Sequence, residues 1–310
     1  MSISTFVCIN PASAGGRTGQ RWPEIAAALR SQVGEFSHGF TEARGEAAGM
    51  VAEALAEGHR RIVSVGGDGT HNEVVNGFFD DEGPRAPDAE LALVPTGTGG
   101  DLRRTLGLPK DHLEAISLIG VSVKAVDVGR VEYVDHHGQP GARWFINVAS
   151  FGLSGKVVDV VNNSGKLLGG KLSFMLGVAR AGLTYKNQSV RIAIDGETTY
   201  EGPVNSVAVA NAQYFGGGMH IAPDAAMDDG AFDVVNLGDL GTIRSATNMP
   251  RLYKGTHVEM DDITVHRGTV VEAWPLGDEQ VRLDVDGEQP GMLPAKITLY
   301  PKALKLGFAP

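Results

Sequence analysis

The chain has 310 residues, 42% of them hydrophobic and 21% charged, with a formal net charge of −10. At roughly 100–200 residues per domain, two ordinary globular domains are expected, each able to bury a core. The acidic balance argues against a general nucleic-acid binder, which carries a basic face, and against adhesion to anionic membranes by bulk charge, while leaving room for a local basic patch.

Cys8 is the single cysteine, which excludes an intramolecular disulfide and a cysteine-based zinc site. Within its apolar run it reads as a small buried hydrophobe. The opening MSISTFVCINPASAGG lacks the basic start and long apolar stretch of a signal peptide, and no run of 18 apolar residues occurs. A cytoplasmic protein that meets any lipid from the water side is expected.

Residues 4–9 read as a strand, followed by a glycine-rich stretch at 10–19 and a helix over 22–33, where Pro23 suits the first helical turn. A second helix is predicted over 45–57, with Ala47, Val51, Ala54 and Leu55 on one face. Residues 61–65 form an apolar strand ending in glycines, 72–79 the next helix, and 91–94 another strand with a glycine-rich end. This rhythm predicts an α/β sheet with parallel strands. Near residue 125 it changes. Segments 124–133, 143–148, 190–194, 204–210, 232–237, 281–285 and 296–300 are strand-like, which predicts an antiparallel, mostly β second domain interrupted by a helix over about 170–183. The expected division is 1–125, 126–300 and a tail, 301–310, packing back on the first domain.

Three glycine-rich turns stand between strand and helix. The strongest is Gly66-Gly67-Asp68-Gly69-Thr70-His71-Asn72-Glu73. Glycines admit close approach of a phosphate, the following helix offers unpaired N–H groups, and Thr70 adds a hydroxyl. Asp68 would repel phosphate unless a metal lies between, which points to Mg²⁺. Taken alone, the segment also suits a tight turn with Asp68 as helix cap. The second turn is Asn10-Pro11-Ala12-Ser13-Ala14-Gly15-Gly16, and the third is Pro95-Thr96-Gly97-Thr98-Gly99-Gly100-Asp101, followed by Arg103 and Arg104, which read as a solvated helix face. All three fall at carboxyl ends of strands, where open α/β sheets bind ligands. Neither a Walker-type phosphate loop nor a complete G-x-G-x-x-G is present.

In this order and at these separations the turns resemble the catalytic domain shared by diacylglycerol kinases, sphingosine kinases and bacterial lipid kinases. The likeness continues through Asn147-Val148-Ala149-Ser150-Phe151-Gly152, through Gly216-Gly217-Gly218 with Ala222-Pro223 and Asp228-Asp229-Gly230, and through Asp286-Gly287-Glu288. It implies an N-terminal Rossmann-like nucleotide-binding α/β domain and a C-terminal antiparallel β-sandwich domain, with the active site in the cleft between them. The implied activity is an ATP- and Mg²⁺-dependent lipid kinase, phosphorylating diacylglycerol to phosphatidic acid or a related lipid at a membrane surface. Peripheral membrane association and dimerisation through the sheet are family-level expectations.

Carried over residue by residue, the likeness implies an ATP site at Asn10, Pro11, Ala12, Ser13 and Ala14, at Thr41, at Gly67, Asp68, Gly69, Thr70, His71, Asn72 and Glu73, and at Thr98. It implies a Mg²⁺ held by the Asp229 carboxylate and the backbone carbonyls of Ala226 and Ala231. Glu288 is the expected general base, with Asp286 beside it and Asp68 and Asp101 organising the cation or its waters. Two departures stand out: Gly100 replaces a common Asn, and Ala14 replaces a common Gly. Asp-Gly is also a hairpin signal, so Asp286-Gly287 and the second copy, Asp195-Gly196-Glu197, both suit simple turns. His136 and His137 read as a solvated loop. The helix near 171–180, with Lys166, Lys171, Arg180 and Lys186 about it, suits packing on the β domain, or an interfacial role. The competing functions are an NAD kinase, which also carries Gly-Gly-Asp-Gly, and a non-catalytic lipid-binding protein.

Overall fold

Four parallel strands carry the first half of the chain: β1 (Thr5–Ile9), β2 (Ser37–Phe40), β3 (Arg61–Gly66) and β4 (Glu90–Pro95), in the order β2-β1-β3-β4. The computed structural model describes residues 3–163 and 185–309; the helix expected over 170–183, with Lys166, Lys171 and Arg180, lies outside the described residues. The chain divides into one unit of residues 1–128 with 302–310 and a second of residues 129–301.

In the first unit, α1 (Arg17–Gln20) and α2 (Trp22–Val33) join β1 to β2, α3 (Glu46–Ala56) leads to β3, and α4 (Asp68–Gly77) leads to β4. Short helices α5 (Asp101–Thr105) and α6 (His112–Ser117) follow. Val7, Ile9, Val63, Val65 and Val94 pack with Ile25, Leu29 and Ile116 into one core. Strands buried in this way read as continuous apolar runs rather than alternating ones. Helix α4 begins four residues earlier than expected because Gly67 is extended and leaves Asp68 at the first helical position. Helix α6, not foreseen, is capped by Asp111, whose carboxylate accepts the N–H groups of Leu113 and Glu114.

The second unit is a sandwich. One of its sheets contains part of β5 (Val123–Val134), β6 (Pro140–Phe145), β8 (Gln188–Ile194), β9 (Glu197–Val204), β15 (Val270–Pro275) and part of β17 (Met292–Gly307). The other has the order β14-β13-β10-β7-β16, formed by Thr264–Gly268 (β14), Phe232–Asn236 (β13), Ser206–Ala210 (β10), Val148–Gly152 (β7) and Leu283–Val285 (β16). Between the sheets Phe145 stacks on Phe232 at 5.8 Å, among Phe151, Val207, Val209, Val234, Leu283 and Val285. The alternate residues Val148, Ala208, Ala210 and Val235 face the other way and join a further apolar cluster with Ile221, Leu240 and Ile263. This sheet is thus apolar on both faces. Its outer face is covered by α7 (Leu153–Asn163), by β11 (Tyr214–Phe215) and β12 (Met219–His220), and by α8 (Thr242–Lys254).

Three local readings change. The single strand expected over 143–148 is two strands, because the Asp286 carboxylate takes the N–H groups of Ile146, Asn147 and Val148 between them. Strand β9 is a polar edge strand where only a turn and the start of the 204–210 strand were read. Helix α8, over a segment for which no element was expected, carries no buried residue. Strand β17 passes into the first unit, where Lys305 and Leu306 pair with Glu90 and Leu91 and the Lys302 N–H bonds Asp127 Oδ1 at 2.8 Å.

Helices α3 and α4 meet at Gly77, where an added Cβ would stand 2.6 Å from the Ala48 carbonyl oxygen. Gly77→Ala should lower stability by about 1–3 kcal/mol through this overpacking, read as a lower urea midpoint with unchanged slope.

Candidate active site

In the order β2-β1-β3-β4 the connections reverse direction between β1 and β3, the place where open α/β sheets bind ligands beyond the strand ends. The first two glycine turns leave those two strands. Asn10 joins them: its Nδ2 donates to Thr70 Oγ1 at 2.9 Å, its Oδ1 accepts the Ala12 N–H at 3.0 Å, and its own N–H reaches the Val65 carbonyl at 3.0 Å. Beyond it Ala14, Gly15 and Gly16 run in left-handed conformation, at φ 55, 69 and 87°. Ala14 bears the side-chain cost of that conformation, roughly 1–2 kcal/mol, at the position where glycine is common in the resembling family.

The third turn, residues 95–101, locks onto the strongest one, residues 66–73. A Cβ on Gly97 would lie 2.6 Å from the Gly67 Cα, so only glycines allow this approach. Thr96 N–H bonds the Gly66 carbonyl at 2.8 Å, and Asp68 Oδ2 accepts the Gly100 N–H at 2.6 Å. Arg104 donates to the carbonyls of Gly99 and Gly100 and to Asp101 Oδ1 at 2.8–3.0 Å, so it braces the turn rather than only facing solvent. Thr18 and Thr96, not foreseen, extend the network: Thr18 Oγ1 donates to Thr96 Oγ1 at 2.8 Å, which reaches Ser13 Oγ at 3.4 Å. A Thr within a glycine turn was the available signal for Thr96; nothing in the sequence marks Thr18.

The first turn of α4 points unpaired N–H groups at Asp68, Gly69 and Thr70 out of this junction. Such a helix start, flanked by three glycine turns, suits the phosphates of a nucleotide. The remaining expected residues divide by burial. Pro11, Ala12, Ser13 and Thr98 are at least partly accessible, and Glu73 is half-buried. Thr41 is buried and continues the β2 edge, its N–H on the Ile9 carbonyl at 2.8 Å. His71 and Asn72 point inward, 3% and 1% exposed. Burial holds the His71 imidazole down at about 4, so it is neutral at pH 7, with Nδ1 2.7 Å from Ser64 Oγ. It supports the strand–helix junction from beneath. Cys8 is also fully buried; burial first, then the Glu73 charge, pushes its thiol up to about 12.

In the second unit, Asp286 and Gly287 form a two-residue hairpin turn, both at positive φ (50 and 85°), closed by paired bonds between Val285 and Glu288. The Asp286 carboxylate accepts three backbone N–H groups, from Ile146, Asn147 and Val148, at 2.9–3.1 Å. Asp195, in the second copy of the triplet, is built alike: it sits at φ 50° and accepts the N–H groups of Thr269 and Val270. Both aspartates therefore anchor neighbouring backbone.

Alternation along β16 turns Leu283 and Val285 inward and Asp284 to the outer face, opposite Ser150 in register. Asp284 Oδ1 accepts the Gly287 N–H at 2.8 Å and Oδ2 lies 3.4 Å from Ser150 Oγ, which donates to Ser154 Oγ at 2.8 Å. Burial, the largest cause, pushes the Asp284 carboxyl up to about 8, with the charges of Asp286 and Glu288 adding to the rise. Asp284 lines a pocket of about 100 Å³ with Leu153, Val157, Met219, Leu252 and Ile263. Sequence reading missed it because an acid between two apolar strand residues reads as solvent-facing; here that face is covered.

The expected cation site differs from expectation. Asp229 pairs with the Arg267 guanidinium, which also stands 3.8 Å from Asp233, and Asp229 Oδ1 accepts the Ala231 N–H at 3.2 Å. Among the described residues no three His, Cys, Asp or Glu side chains group as a metal cage. With its carboxylate closed by a guanidinium, the set Ala226, Asp229 and Ala231 does not offer an open oxygen site for Mg²⁺.

Residues 4–131 match the diacylglycerol kinase catalytic domain, and residues 147–308 match the YegS C-terminal NAD kinase beta sandwich-like domain. The chain belongs to the YegS-like bacterial lipid kinase family. It is 31% identical over 287 residues to a "Probable lipid kinase YegS-like" protein of Xanthomonas euvesicatoria, covering 91% of this chain and 90% of that one. It is 30% identical to a "Diacylglycerol kinase" of Staphylococcus carnosus, covering 93% and 90%. A crystal structure of a diacylglycerol kinase from Bacillus anthracis superposes with a TM-score of 0.71 at 23% identity over 99% of this chain and 97% of that one. Yeast NADH kinase shares the fold alone, with a TM-score of 0.57 at 11% identity over 100% of this chain and 84% of that one. The α/β unit with a β-sandwich is thus the family architecture, and the protein is a kinase of the lipid kinase family. Among the described residues no helix is long and apolar enough to cross a membrane.

Asp284 titrates higher in the folded protein, about 8, than its ordinary carboxylate value of 3.8. Between those values the unfolded chain has lost the proton and the folded one keeps it, so this residue makes stability fall as pH rises, levelling off above about 8. Asp284→Asn should flatten that decline: urea unfolding at pH 5 and pH 8 should differ less in the variant than in the native protein.

Proposed function

We propose that the protein transfers the γ-phosphoryl group of ATP to the hydroxyl of a membrane lipid, with diacylglycerol as the acceptor and phosphatidic acid as the product. The observation that carries this reading is the apolar pocket whose wall residue, Asp284, is hydrogen-bonded to the turn bearing Glu288. Leu, Val, Met and Ile side chains suit an acyl chain, whereas a dinucleotide acceptor needs polar partners, which disfavours the NAD kinase alternative.

ATP supplies the phosphoryl group, and the first unit's residues receive it. The N–H groups opening α4 and the hydroxyls of Ser13 and Thr70 bind phosphate oxygens. Asp68 holds the third turn against the 66–73 turn and Arg104 braces the third turn internally, so the donors are fixed before the nucleotide arrives. In the second unit Asp286 fixes the hairpin, and Glu288 accepts the proton of the lipid hydroxyl, a weak nucleophile near neutral pH. A protein of this kind works from the water side, as a peripheral visitor to the membrane.

Purified protein with labelled ATP, Mg²⁺ and lipids in mixed micelles should label diacylglycerol. Glu288→Gln should lower turnover by about 10²–10⁴-fold, the range of general-base action, with an unchanged unfolding midpoint. Asp68→Ala should lose nucleotide affinity as the third turn detaches. Label appearing in NAD and in no lipid would overturn the reading.

A further inference from the structure

Four polar side chains are linked at the wall of the apolar pocket: Asp284 of β16, Ser150 of β7, Ser154 of α7 and Ser206 of β10. Their protons can be followed one by one. Ser150 Oγ donates to Ser154 Oγ at 2.8 Å, so its one proton is spent and none is left for Asp284 Oδ2 at 3.4 Å. Ser206 Oγ donates to the Phe151 carbonyl at 3.1 Å and stands 3.2 Å from Ser154 Oγ. Asp284 Oδ1 is taken by the Gly287 N–H at 2.8 Å. The serines thus satisfy one another, and they supply no proton to Oδ2.

None of the described residues lining the pocket is a lysine or arginine. Burial, the largest cause, and the charges of Asp286 and Glu288 keep the Asp284 carboxyl protonated up to about 8. With Oδ1 accepting from Gly287, the proton sits on Oδ2, where Ser150 Oγ at 3.4 Å is beyond a good hydrogen bond. A carboxyl kept neutral by an apolar site is a hydrogen-bond donor. His257, also buried in the wall, is its opposite. Its Nε2 bonds the Ile221 carbonyl at 3.0 Å, so the ring proton is there, and Nδ1, without a partner among the described residues, only accepts. A ligand carbonyl in this pocket therefore finds its donor at Asp284 and not at His257.

Asp284 and Glu288 lie on the two arms of one hairpin, joined by the Asp286-Gly287 turn. With the accepting hydroxyl at Glu288 and an acyl chain in the pocket, the linkage next to that hydroxyl falls beside Asp284. We propose that the Asp284 carboxyl donates a hydrogen bond to the ester carbonyl neighbouring the accepting hydroxyl, so that the pocket selects acyl glycerolipids over their alkyl-ether counterparts. The inference rests on the lipid kinase reading for the position of the hydroxyl, but the preference it names is measurable without phosphoryl transfer. An ether keeps the chains and the hydroxyl and lacks only the carbonyl. It leaves the buried donor of Asp284 unpaired, a cost that the ester avoids.

Dioctanoylglycerol and its dioctyl ether, bound to the full-length protein at pH 6.5 in detergent micelles without nucleotide, should differ about tenfold in favour of the ester, the scale of one hydrogen bond to a buried group. Asp284→Asn should keep the preference, because its amide can accept from Gly287 and donate to the carbonyl. Asp284→Leu should bring the ratio to about one. Loss of the Gly287 acceptor in that variant affects both lipids alike, so the ratio reads the carbonyl contact alone. The stretching band of an isotopically labelled ester carbonyl should fall in frequency on binding, and further on the native protein than on Asp284→Asn, since a carboxyl O–H is the stronger donor. That comparison stands without the leucine variant should it fold poorly. Binding of neither lipid, no native preference for the ester, a preference that survives Asp284→Leu, or identical bands for native protein and Asp284→Asn would overturn the proposal. An ester preference with no phosphoryl transfer from ATP to either lipid would sink the kinase reading and leave the Asp284 contact standing.

Discussion

A β-sheet with apolar residues on both faces must be covered twice, and the second unit is arranged around that requirement. The sheet β14-β13-β10-β7-β16 gives Phe151, Val207, Val209, Phe232 and Val234 to the sandwich core and turns Val148, Ala208, Ala210 and Val235 outward. At about 25 cal/mol per Å² of apolar surface, leaving that second face in water would be a large penalty. The segment about Ile221 and Ala222, with α7 and α8, covers most of it. Among the described residues the space left under this cover, beside Asp284, is the pocket.

In the first unit the governing constraint is backbone proximity. Three strands end side by side, and their following turns are drawn together by glycines too close to admit a Cβ, by Asn10, and by Asp68 reaching across to Gly100. The acids here serve first as hydrogen-bond acceptors within the protein. The same holds at the far end of the chain, where Asp286 satisfies three backbone N–H groups that no strand partner takes. Buried N–H groups left alone are costly, so these aspartates are structural as much as chemical. The neutral carboxyl of Asp284 follows the same logic. Burial, with the charges of Asp286 and Glu288 adding to it, favours the protonated form, which can still hold the turn.

The parts legible in the sequence were those set by local rules. Helix α2 occupies the predicted 22–33, and α3 buries Ala47, Val51, Ala54 and Leu55 as its periodicity indicated. Glycine turns after β1, β3 and β4 stood where strand–turn–helix order put them. Helix α8 escaped because its lining stripe mixes Ser245 and Asn248 with Met249 and Leu252, is only half-buried, and runs across Pro250. The split between β6 and β7 escaped because it depends on Asp286, some 140 positions away.

By itself the sequence determined the α/β first half, the β-rich second half, the three phosphate-type turns and the order of motifs that marks a lipid kinase. Each of these is written in short-range spacing: glycine where φ or close approach demands it, apolar residues at the period of their element. Only the tertiary structure decided that Arg267 pairs with the Asp229 carboxylate, that Asp286 is an anchor, that Asp284 is a buried acid in a pocket wall, and that α8 lines that pocket. These depend on which distant residues share a neighbourhood, and burial, charge pairing and pKa are properties of that neighbourhood rather than of the residue.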